Sequence, residues 1–164
     1  MWPLIHKMMK YLVLITIALL SYATDYASEM ERTFWGCELG VTTKEQAVDT
    51  IKAQLAKQFT KPQIDGEELV ANNIWLYGYQ FDTAKLVFEN DKLKSINLIK
   101  ECFDLSMSDQ FMREFSKKLL GEEGEYSNNE GILTKRDSNT YIRMAQTEGE
   151  TRQGVVEIMI INLK

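Results

Sequence analysis

NIWLYGYQFDTAKLVFENDKLKSINLIK, residues 73 to 100, decides how the chain folds. Apolar residues recur every second position, the signature of a half-buried strand. Read as one strand, Trp75, Tyr77, Tyr79 and Phe81 point one way, and Ile74, Leu76, Gly78 and Gln80 the other. Ala84, Leu86 and Phe88 then alternate with Lys85, Val87 and Glu89. Asn90-Asp91 before Leu93 is a turn signal, because both types tolerate left-handed backbone. The stretch predicts two or three antiparallel strands with tight connections.

On either side the period changes to 3.6. Val48, Ile51, Leu55 and Phe59 predict a helix over about 43 to 58, capped by Thr42 with Glu45 and stopped before Pro62. Gln63 to Ala71 reads as a polar connector. After Cys102, the stripe Phe111, Met112, Phe115 and Leu119 predicts a second helix, capped by Ser106 or Ser108 and closed by Gly121. EEGEYSNNE, 122 to 130, reads as a loop, and Gly131 to Lys135 as a short strand. Thr140 to Thr147 alternates, with Ile142 and Met144 opposite Tyr141 and Arg143. Gln153 to Leu163 is the most apolar strand, suited to the centre of a sheet. The fold class is therefore α+β: an antiparallel sheet with two helices packed on one face. It is built as two helix-strand-strand modules, about 34–100 and 101–164, within one domain over 24–164.

Gly36-x-x-x-Gly40-x-Thr42 ahead of the first helix, and the strand pair ending in LVFENDKLKSI (86 to 96), resemble the tandem modules of β-lactamase-inhibitor-protein-like domains. They are also similar to the single-module small lipoproteins of outer-membrane assembly, although no cysteine follows the apolar leader for acylation. The resemblance covers about Phe34 to Lys164. It implies a fold and a class of binding proteins, and it carries over no catalytic residue.

The amino terminus reads as an export signal over 1–23. His6, Lys7 and Lys10 precede the apolar run YLVLITIALL (11 to 20), which is too short to span a bilayer. Ser21-Tyr22-Ala23 places small residues where signal peptidase cuts. Cleavage leaves 17 basic and 24 acidic residues, so the mature chain is acidic and has no membrane span. With no basic cluster, a nucleic-acid partner is disfavoured. Export permits a disulfide between Cys37 and Cys102, and two buried thiols fit the same count.

The only histidine, His6, falls in the export signal. The mature chain then holds no Ser-His-Asp or Cys-His pair and no histidine zinc site, and no nucleotide-binding motif is present. Neither a cofactor nor a metal is expected. Carboxylates remain: Glu67-Glu68, and Glu122, Glu123 and Glu125. The leading reading is an exported, non-enzymatic binding protein of a bacterial envelope, with another protein or an envelope component as partner. Its candidate binding residues are Trp75, Tyr77, Tyr79, Phe81, Tyr141 and Arg143; the row Trp75 to Phe81 also fits packing under the two helices, which leaves open the sheet face it occupies. The alternatives are a carboxylate-dependent enzyme acting on envelope glycans and a secreted immunity or inhibitor protein.

Overall fold

The computed structural model describes residues 30–56, 61–122, 125–148 and 154–164; the expected export signal lies outside them. A small hairpin, β1 (Thr33–Phe34) and β2 (Cys37–Glu38), leads into helix α1 (Lys44–Leu55). Four strands follow: β3 (Gln63–Asp65), β4 (Glu68–Leu76), β5 (Tyr79–Glu89) and β6 (Lys92–Cys102). Helix α2 (Leu105–Leu119) is again followed by four: β7 (Ser127–Asn129), β8 (Ile132–Arg136), β9 (Thr140–Glu148) and β10 (Gly154–Asn162). The strands make one eight-stranded sheet in the order β3-β4-β5-β6-β10-β9-β8-β7. Every neighbouring pair in it is antiparallel. Each module is thus a helix and a four-strand meander, and the two meanders join through their last strands, β6 and β10.

Alternation fixes which face is covered. Leu69, Leu86, Ile96, Ile160 and Ile142 lie across from one another on successive strands, and all are fully buried. The next inward row is Ala71, Ala84, Leu98, Ile158, Met144 and Leu133, also buried. Because these rows are continuous, both helices cover the same side. α1 packs on β4, and α2 on β10, β9 and β6. Ala47, Val48, Ile51 and Leu55 are the buried stripe of α1, and Phe111, Met112, Phe115 and Leu119 that of α2. Phe59, expected in the first stripe, lies outside the described residues.

Three local features differ from the sequence reading. The cap of α1 is Thr43 with Gln46, one residue later than expected: Thr43 N donates to Gln46 Oε1 (3.0 Å) and Gln46 N to Thr43 Oγ1 (3.3 Å). Thr42 is held back because Leu93 N donates to its carbonyl (2.9 Å) and Glu38 N to its hydroxyl (2.7 Å). The cap of α2 is Asp104, which accepts from Met107 N (2.8 Å), while Ser108 is buried inside the helix. The connectors read at 63 to 71 and 122 to 130 contain β3, the start of β4, and β7.

The deciding stretch also breaks phase twice. Tyr77 and Gly78 both have positive φ (51° and 84°), a two-residue hairpin turn that ends β4 at Leu76 and starts β5 at Tyr79. Further down, the inward set steps by three: Ala71 to Ile74 on β4, and Phe81 to Ala84 on β5. Asn73, at φ 56°, makes that step, and Asp82 opposite it accepts from Glu101 N (2.7 Å) on β6. A one-residue slip moves a strand's whole side-chain set to the other face. Two phase breaks therefore redistribute the aromatic row.

Candidate functional site

On the side of the sheet away from the helices, two cross-strand rows lie at the surface. One is Val70, Lys85, Asn97, Met159, Arg143 and Thr134. The other is Glu68, Val87, Ser95, Ile161, Tyr141 and Arg136. Most of these residues are half-buried. Strand pitch and spacing make the two rows across β4 to β8 a surface roughly 25 Å wide. A hollow of about 240 Å³ sits in its middle, lined by Lys85, Asn97, Ile99, Arg143, Glu157 and Met159. Glu68 pairs with Lys85 (2.9 Å), which neutralises one corner.

Of the candidate binding residues, Tyr141 and Arg143 lie on this open face, two residues apart on β9. Phe81 is fully buried, against Phe111 and Phe115 at 5.7 and 5.1 Å between ring centroids. Tyr79 packs on the same two rings, with its hydroxyl 3.3 Å from Glu114. Burial and the Glu114 carboxylate raise its pKa. Tyr77 is at the turn, its ring 6.1 Å from Phe115 and its hydroxyl donating to Glu31; burial first, then that bond and charge, raise its pKa. Trp75 is half exposed, pairs with Gln80, and takes Trp35 Nε1 on its carbonyl (2.7 Å). Strand rise and spacing put Trp75 roughly 30 Å from Tyr141, at the far end of the sheet and four strands away. The expected single aromatic face is corrected: three of its residues serve the helix side, and Trp75 does not meet Tyr141 or Arg143.

The cysteines are both free and buried. Gly40 N donates to Leu93 O (2.7 Å), which ties the segment after Cys37 to the start of β6. Cys102 is at the other end of β6, about 30 Å from Leu93 at strand rise. Three residues from Gly40 back to Cys37 recover at most about 11 Å. The Cα atoms are thus at least about 15 Å apart, beyond the roughly 7 Å limit for a bridge. Burial pushes the Cys37 thiol up to about 11. Burial also raises Cys102, with Asp82 and Asp104 adding to it against Lys100. Neither is a thiolate at neutral pH, so neither is an activated nucleophile. Thiol counting in guanidinium without reductant should find two free thiols, and native protein should react slowly. A count of zero would show an oxidised pair.

The remaining carboxylates are dispersed. Glu68 is on the open face, Glu125 pairs with Lys135 (3.2 Å), and Glu67 is exposed in the β3–β4 turn. Glu122 lines a groove of about 810 Å³ between α2 and the β7–β8 hairpin, with Asp109, Arg113, Lys117 and Tyr126. Glu123 lies outside the described residues. Among the described residues, no three of His, Cys, Asp and Glu are grouped to hold a metal ion. No described helix is long and apolar enough to cross a membrane.

Asn97, Glu157, Met159 and Ile161 were not singled out in the sequence. The available signal was Glu157, the lone charge inside the apolar run GVVEIMIINL, at an outward position of the alternation. Comparison with family models, curated proteins and solved structures finds no match to this chain.

Proposed function

We propose that the protein is an exported, non-enzymatic binding protein of the bacterial envelope, and that the open face of its sheet docks another protein. The observation that carries this reading is this face, which none of the described elements covers. β6 and β10 are the two central strands, yet Ile99, Val155, Met159 and Ile161 face outward from them, beside Tyr141 and Arg143. A sheet face that only met solvent would alternate cleanly to polar residues, whereas large apolar, aromatic and arginine side chains together mark interaction surfaces. The export signal supports the location. The resemblance to β-lactamase-inhibitor-protein-like domains supports the class, including an immunity or inhibitor role.

The test is capture from envelope extract by the mature chain. Changing Tyr141→Asp with Ile161→Asp should leave the fold intact by circular dichroism and weaken capture at least tenfold, about 1.4 kcal/mol. Lys52→Ala, exposed on α1, should capture as wild type does. An unchanged captured set from the double variant would exclude the open face.

A further inference from the structure

We infer that the hollow at the centre of the open face receives a basic side chain, lysine or arginine, of the bound protein. Its acceptors are Asn97 Oδ1 and the Glu157 carboxylate. This rests on the docking reading above and names the chemistry of the partner.

The hollow is layered. Asn97 Oδ1 is withdrawn from solvent and meets no donor among the described residues. A buried carbonyl oxygen without a donor is costly, and a donor arriving from outside relieves it. Ile99 and Met159 stand on either side: Met159 is directly across from Asn97 on β10, and Ile99 is two residues along β6. Apolar walls with an acceptor below suit a side chain with an aliphatic stem and an N–H head. Glu157, exposed, lies across from Ile99 on one side and Ala145 on the other, neither of which carries charge. Among the described residues it forms no ion pair.

The two cations at the rim do not fill this role. Lys85 is already held by Glu68 at 2.9 Å. Arg143 lies across Met159, on the far wall from Asn97, where it can meet a carboxylate or carbonyl flanking the incoming basic residue. A carboxylate placed in the hollow could meet Arg143 on the far wall but would face the Asn97 oxygen and Glu157 on the near side, and an apolar side chain would leave Asn97 without a donor. The excess of acidic over basic residues, 24 to 17 in the mature chain, steers a basic surface toward it.

The probe is a set of short peptides, acetyl-Gly-Gly-Xaa-Gly-Gly-amide with Xaa arginine, glutamate or leucine. They are titrated into isotope-labelled mature protein while backbone amide signals are followed. The arginine peptide should move the amides of Asn97, Ile99, Glu157 and Met159, and the glutamate peptide should not. Glu157→Gln, at an exposed position, should keep the fold and weaken the arginine peptide at least fivefold; Asn97→Leu should do the same. Equal shifts from the leucine peptide, no shifts from any peptide, or full affinity in Glu157→Gln would each overturn the inference. So would broadening of the same amides with protein concentration and a doubled mass by light scattering, because a second copy would then occupy the hollow. None of the peptide outcomes decides the docking reading, which falls only if Tyr141→Asp with Ile161→Asp leaves capture intact.

Discussion

Phe115→Ala is expected to lower the unfolding free energy by about 4 kcal/mol. Phe115 is fully buried on α2, and four aromatic rings surround it. Phe81 is at 5.1 Å and Tyr79 at 5.4 Å, both edge-on; Phe111 stacks at 5.3 Å, and Tyr77 is tilted at 6.1 Å. Truncation removes the transfer energy of the ring and leaves a cavity between rings held by two different elements, the β4–β5 hairpin and α2. Aromatic pairs add about 0.5 to 1.5 kcal/mol each beyond the area they bury, so the loss belongs at the high end of large-to-small changes. Trp75→Ala, at a half-exposed position on the other side of the same hairpin, should cost about 1 kcal/mol. Urea unfolding of the two variants checks this. Equal costs, or a Phe115→Ala cost below about 1 kcal/mol, would mean that the hairpin does not close over α2.

That comparison turns on why the aromatic row does not keep to one face. The period-two signal around Trp75 is real within each short segment, but the phase jumps at Asn73 and again at Tyr77–Gly78. Type I′ hairpins favour Asn-Gly or Asp-Gly, since both central residues need positive φ. Tyr77-Gly78 places a bulky aromatic first, at φ 51°, so it does not look like a turn in sequence. The helices were legible because Val48, Ile51 and Leu55, and Phe111, Phe115 and Leu119, each hold a stripe that burial requires. β3 and β7 were not, because all three residues of each are exposed and nothing forces an alternation. The site was half legible. Tyr141 and Arg143 could be placed opposite Ile142 and Met144 by parity alone. Asn97 and Glu157 could not be brought together, because their juxtaposition depends on β6 pairing with β10, a contact between the far ends of two modules that local pattern does not encode.

The same non-local closure sets the second large effect. Asp137, in the turn between β8 and β9, accepts from Asn139 N (2.7 Å) and Thr140 N (2.6 Å) on one oxygen and from Met30 N (2.8 Å) on the other. One carboxylate therefore closes a turn in the second module and fastens the segment that leads into the first. Burial alone would raise the Asp137 pKa, but the three amide bonds and the positive charge of Arg32 outweigh it and hold it below the ordinary value. Asp137→Ala should cost about 3 kcal/mol, less than the sum of three charge-assisted bonds because the group is only partly buried and water replaces some of them. A folded pKa below the unfolded one means that the contribution is complete above about pH 4 and is lost as pH falls through the folded value. Asp137→Asn keeps an acceptor for the turn and loses the charge. Its deficit against wild type should therefore be constant from about pH 5 to 7 and shrink as pH falls through the folded pKa, below which wild type is protonated as well. Urea midpoints at four or five pH values measure it. Parallel profiles for the two proteins down to pH 2 would show that the ionised Asp137 contributes nothing beyond its hydrogen-bond geometry.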